Sequence, residues 1–278
     1  MTRAAERLGI QQPPLGQQIR QLEQQLGVTL FDRRPRQIAL SETGRFFLSE
    51  AREVLARAAE AQRQVRRFDE GESGMLTVGM TSSASLHPVV PTILSRFHDR
   101  YPHATVEVQE SETFELVTGL RDGSVDAALF HVGVERFPDL DACVLARVEL
   151  IAAVPRSHPL AQLGGPITFD ALAAEPMVIY RRREGIGIFD TLAQVWAARG
   201  RELRIASEVT RLIAAINLIA AGRGIALVPA PMVGLHAEAV TYLPLATDVL
   251  PDLPLSLAFR RGRSVRLVKN FILAATSS

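Results

Sequence analysis

Apolar residues near the start of the chain recur with the period of an α-helix. They stand three or four positions apart at Leu15, Ile19, Leu22 and Leu26, which places them on one helical face. Proline is tolerated only in the first turn of a helix, so Pro13 and Pro14 mark its start, and Gly27 marks its end. A shorter alanine-rich helix is predicted at residues 3–8. The pattern therefore predicts two helices joined by a tight turn.

A basic turn between two short predicted strands follows these helices. Three arginines of residues 32–37 suit it to phosphate contact, whereas the polar face of the second helix carries amides that can pair with base edges. Helix, turn, helix and basic wing is the order of a winged helix-turn-helix. The predicted DNA-contacting residues are Gln12, Pro13, Pro14, Gln17, Gln18, Arg20, Gln21, Arg33, Arg34 and Arg36.

A longer helix is predicted after Ser41, with an apolar seam along one side. The seam residues alternate in steps of four and three, as in a heptad repeat: Phe47, Ala51, Val54, Ala58, Ala61, Val65 and Phe68. A helix with one apolar stripe and no partner segment after it is expected to pair with a second copy of itself. The alternative is that this helix lies on its own body.

Strands and helices alternate beyond the polar, glycine-containing residues 69–74. This order predicts a parallel sheet with right-handed crossovers, followed by a second such unit. We expect an α/β body of two lobes joined by crossing strands, after an all-α and winged head. The predicted limits are 1–44 for the head, 45–72 for the linker helix and 73–278 for the body. Lobe one takes 73–148 and 254–278, and lobe two takes 149–253.

A ligand site is predicted where the strands end, because parallel α/β sheets bind ligands beyond the carboxyl ends of their strands. Hydroxyls and arginines at these ends favour a small anion, in particular a carboxylate. The candidate residues are Thr81, Ser82, Ser83, Ser111, Thr113, Phe130, His131, Tyr180, Arg181, Val228 and Pro229. Two simpler alternatives stay open: Thr113 as a helix cap and His131 as a core histidine.

Charge is distributed unevenly along the 278 residues, although the net charge is only +1. Residues 1–67 hold twelve arginines against seven acidic residues, so a basic first part precedes an acidic body. This asymmetry fits nucleic-acid contact at one end. The single cysteine, Cys143, excludes an internal disulfide. Without a signal peptide or a long apolar run, we expect a soluble, cytoplasmic protein.

An enzymatic function is not supported by any motif in the sequence. The six histidines form no pair four residues apart, and neither a phosphate-binding loop nor a dinucleotide fingerprint is present. We expect no catalytic residues, no metal and no cofactor.

Residues 4–33, AAERLGIQQPPLGQQIRQLEQQLGVTLFDR, and the segment LSETG at 40–44 resemble the LysR-type transcriptional regulators. The resemblance implies a dimerising linker helix and an effector domain like a type II periplasmic binding protein. Two further runs, residues 78–91 and 218–232, resemble the effector-binding segments of the family. Family members often carry a serine and an arginine where this chain has Gly16 and Gln17. They usually carry one more helix before the alanine-rich one, so we expect the head to lack its first helix.

The sequence therefore predicts a regulator that binds an inverted repeat in promoter DNA and responds to a small organic acid. It is expected to form a dimer through the linker helix, with a tetramer through further lobe contacts, and to have no membrane partner. The alternative is a small-molecule binding protein that has lost DNA binding through truncation of the head.

Overall fold

The computed structural model describes residues 2–34, 37–180, 188–247, 249–262 and 265–277. The chain divides into two compact units, Met1–Arg66 and Arg67–Ser278. The helices are α1 (Thr2–Arg7), α2 (Gln12–Leu26), α3 (Glu42–Asp69), α4 (Ser82–Ser85), α5 (Val89–Arg100), α6 (Thr113–Asp122), α7 (Phe169–Ala173), α8 (Ile188–Ala198), α9 (Leu212–Ala220) and α10 (Arg266–Thr276). The strands are β1 (Phe31–Arg34), β2 (Gln37–Leu40), β3 (Ser73–Met80), β4 (His103–Glu110), β5 (Ala127–Phe130), β6 (Leu140–Val148), β7 (Leu150–Pro155), β8 (Met177–Tyr180), β9 (Ile205–Val209), β10 (Ala226–Pro229), β11 (Val240–Pro244) and β12 (Leu253–Arg260).

The head, at the start of the first unit, has the predicted order of helix, turn, helix and hairpin. Its buried apolar residues are Ala5, Leu15 and Leu30. Gly27 ends α2 in the left-handed conformation, with φ of 69°, and its N–H contacts the carbonyls of the last helical turn. Strands β1 and β2 pair antiparallel. The winged helix-turn-helix prediction is confirmed.

The start of α3 is fixed to the segment that precedes the wing. The hydroxyl of Ser41 accepts the N–H of Gly44 at 2.8 Å and donates to the carbonyl of Thr29 at 2.7 Å. The backbone N–H of Ser41 also donates to the carbonyl of Leu30 at 2.9 Å. Ser41 is therefore the helix cap, because its oxygen satisfies an N–H that the helix itself leaves open.

Much of the apolar seam on α3 is exposed in a single chain. Val54 is 65% exposed and Val65 is 70% exposed. Phe47 and Ala51 are half-buried. Exposed apolar residues in one continuous row along a helix are typical of a surface that a partner covers. Pairing of α3 with a second copy stays a prediction.

Lobe one contains a five-stranded sheet in the order β4-β3-β5-β12-β6. Strand β3 is parallel to both β4 and β5, as predicted. Strand β12 is antiparallel to β5 and β6, so the sheet is mixed. Its main core lies between the sheet and helices α5 and α10, where Phe97 and Phe271 make an edge-to-face ring contact with centroids 5.2 Å apart. The predicted order of strands and helices did not include β6, which was missed.

Lobe two is not the parallel unit that the sequence predicts. Strand β7 pairs antiparallel with both β10 and β11, and only β8 and β9 form a parallel pair of full strands among the described residues of this lobe. The prediction is wrong for β7 because its partners are not the strands that follow it in sequence. Trp196 of α8, 1% exposed, fills the core, and its ring contacts Phe169 at 4.8 Å between centroids.

The segment just after α3 is bonded to α10, which begins almost 200 residues later. The side-chain amide of Asn270 donates to the carbonyls of Glu70 at 3.1 Å and Gly71 at 2.9 Å. Gly71 has φ of +69°, and a Cβ there would lie 2.5 Å from the backbone nitrogen of Leu267. The close approach of the two backbones therefore requires glycine at this position.

An ion pair on the surface of lobe one lowers the pKa of a carboxyl group. Arg121 donates to both carboxylate oxygens of Asp139, at 2.7 and 3.0 Å. This hydrogen bonding lowers the pKa of Asp139 from 3.8 to about 2. A depressed carboxyl pKa stabilises the folded state above the unfolded pKa. That contribution is lost as the pH falls from about 4 through about 2.

We expect Arg121→Ala to return the pKa of Asp139 towards 3.8, because its main hydrogen-bond donor is removed. Carboxyl chemical shifts followed by NMR between pH 1.5 and 6 would measure this. Arg261→Ala is the control. Its guanidinium bonds Asp141 at 2.8 Å and affects Asp139 only weakly, so the pKa of Asp139 should change little. Equal effects of both substitutions would contradict the assignment to Arg121.

Candidate functional site

The polar face of α2 is open to solvent. Gln12 and both prolines lie in the first helical turn, and the capping position holds Gln11, whose side chain makes no capping hydrogen bond. Pro13 and Pro14 carry no N–H, so of these three residues only Gln12 has a backbone donor to offer. The predicted base-reading residues are all exposed: Gln17, Gln18, Arg20 and Gln21. Their roles in DNA contact stay predictions.

The backbones of Arg33 and Arg34 lie in β1. Their side chains, and the whole of Arg36, lie outside the described residues. Phosphate contact by the wing therefore stays a sequence-based prediction.

Glu23 connects α2 to the wing, and the sequence analysis did not identify it. Its Oε1 accepts the backbone N–H groups of Leu30 at 2.8 Å and Phe31 at 3.1 Å. These groups begin the segment that enters β1, so the carboxylate ties the wing to the helix. The only sequence signal is that Glu23 is the single acidic residue of a glutamine-rich helix.

We expect Glu23→Ala to destabilise the head by about 2 kcal/mol, since hydrogen bonds to a charged group are lost and two N–H groups are left open. Chemical denaturation followed by circular dichroism would measure the change. Glu23→Gln is the control, because its amide oxygen can still accept both bonds, and it should recover most of the stability. If the two variants unfold alike, the hydrogen bonds do not hold the wing.

A cleft of about 330 Å³ lies between the two lobes of the second unit. It is lined by Ser82, Glu110, Ser111, Glu112, Glu115, Tyr180, Thr210 and Arg211. Three of the predicted ligand residues therefore line it: Ser82 and Ser111 from lobe one, and Tyr180 from lobe two. They come together because the carboxyl ends of β3, β4 and β8 meet the same space.

The two walls of the cleft carry opposite charge. Glu110, Glu112 and Glu115 line lobe one, and Arg211 lines lobe two. The hydroxyl of Ser82 donates to Glu110 Oε1 at 2.6 Å, and the backbone N–H of Glu112 donates to Glu115 Oε2 at 3.2 Å. Arg211 is the residue just before α9. The positive end of that helix dipole therefore adds to its charge.

Four predicted site residues of lobe one are polar and buried. Thr81, Ser83, Thr113 and His131 are each at most 7% exposed. The hydroxyls of Thr81 and Ser83 lie 3.3 Å apart, and Thr81 Oγ1 accepts the N–H of Ala84 at 3.4 Å, which caps α4. Thr113 is the first residue of α6, whose cap is Glu112. Contact of these four residues with a ligand stays a prediction.

The remaining predicted site residues lie within cores or outside the described residues. Phe130 is fully buried, and its ring contacts Phe137 at 6.4 Å between centroids. Val228 and Pro229 end β10 and are buried in lobe two. Arg181 lies outside the described residues.

The glutamates, Thr210 and Arg211 were missed by the sequence analysis. Glu110 ends β4 and is followed by Ser111, so the strand-end argument that selected the serine would have selected the glutamate. Thr210 and Arg211 follow β9 in the same way.

Within the described residues, no helix is long and apolar enough to cross a membrane. The same part of the chain contains no cluster of histidine, cysteine or carboxylate side chains arranged to hold a metal ion.

Two family models match the chain. One is the "LysR substrate binding domain", over residues 69–277, and the other is the "Bacterial regulatory helix-turn-helix protein, lysR family", over residues 1–45.

Known proteins match over almost the whole chain. The regulator CatR of Pseudomonas putida is 33% identical over 261 residues, which cover 94% of this chain and 88% of CatR. The crystal structure of CbnR, a LysR family transcriptional regulator, is 28% identical and superposes with a TM-score of 0.85. The match covers 99% of this chain and 94% of CbnR. Full-length CbnR complexed with its target DNA is 27% identical, with a TM-score of 0.82 and coverage of 99% and 92%.

The helix-turn-helix model thus corresponds to the head with its exposed helix. The substrate-binding model corresponds to the two-lobed body with its cleft. The chain belongs to the LysR family of DNA-binding transcriptional regulators, with a helix-turn-helix head and a substrate-binding domain.

Proposed function

We propose that this protein regulates transcription in response to a small, carboxylate-bearing metabolite that binds in the cleft between its lobes. The observation that carries the proposal is Arg211, which lies in the wall of the cleft at the start of α9. A guanidinium beside a helix N-terminus is a favourable place for a carboxylate, because it offers both charge and hydrogen-bond donors. The hydroxyls of Ser111, Tyr180 and Thr210 provide further polar contacts in the same space.

The DNA partner is proposed to be an inverted repeat bound by two heads, which a pair of α3 helices would hold together. Full-length CbnR was solved in complex with its target DNA, and this supports DNA as the partner of the head. The proposed domain limits are those of the sequence analysis. The effector would act by linkage: it binds one arrangement of the lobes better than another, and the packing of the subunits then changes the spacing of the heads.

A thermal-shift screen with small organic acids tests the cleft as the effector site. A carboxylate that raises the melting temperature of the parent protein should have about ten- to a hundredfold lower affinity for Arg211→Ala, because a charge-assisted hydrogen bond is lost. Arg223→Ala is the matched control, since this exposed arginine lies just beyond the other end of α9. Ligands that bind the parent and Arg211→Ala equally well would place the effector elsewhere.

The basic wing is tested by the salt dependence of DNA binding. Arg34→Ala and Arg36→Ala should each reduce the slope of log affinity against log salt by about 1, since each removes one phosphate contact. Arg201→Ala serves as the control, because this exposed arginine belongs to lobe two, where it pairs with Asp170. Slopes that are the same in the parent and both wing variants would exclude the wing from the interface.

A further inference from the structure

The charged residues on both walls of the cleft, and not Arg211 alone, indicate which kind of ligand the cleft can bind. The lobe-one wall carries three carboxylates, from Glu110, Glu112 and Glu115, and the lobe-two wall carries the guanidinium of Arg211. The hydrogen bonds of Glu110 and Glu115 are to a hydroxyl and to a backbone N–H, neither of which carries a positive charge. Within the described residues, no arginine, lysine or histidine forms an ion pair with any of these glutamates.

On the opposite wall, Arg211 also lacks an ion-pair partner among the described residues. Among the described side chains, no carboxylate forms an ion pair with it. Among the described residues, the negative wall and the positive wall of the cleft thus each have no ion-pair partner, and they are separated by a space large enough for a small molecule. A ligand with only one sign of charge would satisfy one wall and leave the other without a counter-charge.

The hydrogen bonds at the negative wall hold the carboxylates in place without using all their acceptor sites. Glu112 and Glu115 form a capping box at the start of α6, and Glu110 holds the hydroxyl of Ser82 at 2.6 Å. An ionised carboxylate offers about four lone-pair sites, so each glutamate can still accept from a ligand. An ammonium group supplies three N–H donors and a positive charge, which matches what this wall can accept.

We propose that the effector is a zwitterion of the amino-acid type, with its carboxylate towards Arg211 and its ammonium towards the glutamates of lobe one. This inference rests on the proposed function, because it assumes that the cleft is the effector site. A dicarboxylate is disfavoured, because its second carboxylate would lie against three carboxylates of the protein. A simple amine is disfavoured because it leaves Arg211 without a counter-charge.

Matched sets of small molecules provide the test, with the full-length protein and isothermal titration calorimetry. One set is phenylalanine, 3-phenylpropanoate and phenethylamine, and another is leucine, 4-methylpentanoate and 3-methylbutylamine. At least one zwitterion should bind about tenfold or more tightly than its analogue without the ammonium and its analogue without the carboxylate.

Two variants test which wall of the cleft binds each end of the ligand, and a third variant is the control. Glu110→Gln combined with Glu112→Gln removes two charges but keeps amide oxygens that can accept hydrogen bonds. This double variant should weaken the zwitterion about tenfold or more and leave the analogue without the ammonium unchanged or tighter. Arg211→Ala should weaken both molecules. Glu107→Gln is the control, because this exposed glutamate lies on the same strand β4 and does not line the cleft.

The outcomes separate this inference from the proposed function. If carboxylates without an ammonium bind as tightly as the zwitterions and depend on Arg211, the effector is a simple acid. That result overturns the inference and leaves the proposed function standing. If no molecule of either class depends on Arg211 or on the glutamates, both are overturned. Melting temperatures without ligand confirm that the variants are folded before binding is compared.

Discussion

Replacing Gly44 by alanine is expected to destabilise the head strongly and to leave the stability of the effector domain unchanged. A Cβ at this position would lie 2.0 Å from the carbonyl oxygen and 2.9 Å from the carbonyl carbon of Leu30. Both are backbone atoms, so no side chain can rotate away to relieve the overlap. The same carbonyl accepts the N–H of Ser41 at 2.9 Å, and a displacement would break that bond as well. We expect a loss of about 3 kcal/mol of stability in the head.

Hydrogen–deuterium exchange with peptide-level resolution measures this effect locally. Amides of residues 2–44 should exchange roughly a hundredfold faster in Gly44→Ala than in the parent protein, since 1.4 kcal/mol corresponds to a factor of ten. Gly16→Ala is the matched control. Nothing lies within 4 Å of a Cβ at Gly16, and it is inside α2. Alanine there should stabilise the helix by about 0.5–1 kcal/mol. Unchanged exchange in Gly44→Ala would show that the wing and α3 can separate without cost.

Replacing Val54 by glutamate is expected to convert a dimer into a monomer. Val54 is 65% exposed in the single chain and lies in the middle of the seam of α3. When two such seams pair, the new carboxylates would be buried without partners, at a cost of several kcal/mol, roughly 3–5. A substitution on an exposed side chain changes the stability of the single chain little, so the loss should appear in association alone.

Sedimentation equilibrium at micromolar concentration distinguishes the two states. Ala56→Glu introduces the same charge two residues further along α3, outside the seam, and should keep the mass of the parent protein. If Val54→Glu also keeps the parent mass, α3 is not the dimer contact, and the alternative of a helix covered by its own body regains support.

The head was predictable because local signals determine it. Two prolines define the first turn of α2, Gly27 ends it, and Ser41 caps α3, so the helix boundaries follow from residues within a few positions of each other. Glu23 was missed because its partners, Leu30 and Phe31, lie seven and eight residues away across a turn. The spacing of apolar residues indicates which face of a helix is apolar. It does not show which carboxylate accepts a hydrogen bond from a distant backbone N–H group.

The pairing of strands in the two lobes was not predictable from the same signals. Strand β7 lies between β10 and β11, which begin more than seventy residues later. Counting strands and helices assumes that neighbours in sequence also pair, and this assumption holds for β3 with β4 but not for β7. For the cleft, the ends of β3, β4 and β8 predicted Ser82, Ser111 and Tyr180. Glu110 and Arg211 also stand at or just after strand ends, but only the fold shows that they lie on opposite walls of one cleft.

The position of β12 inside the lobe-one sheet has a consequence for synthesis of the protein. It lies between β5 and β6 and supplies the core residues Leu255 and Leu257, and among the described strands it is the only partner of β6. A ribosome that has made residues 73–148 has therefore produced β6 without the strand that joins it to the rest of the sheet. Lobe one can close only after all of lobe two has emerged, whereas the strands and helices of lobe two are then already complete. Nascent chains stalled before residue 253 should therefore expose the apolar edge of β5 and bind chaperones, until the last strand and helix are added.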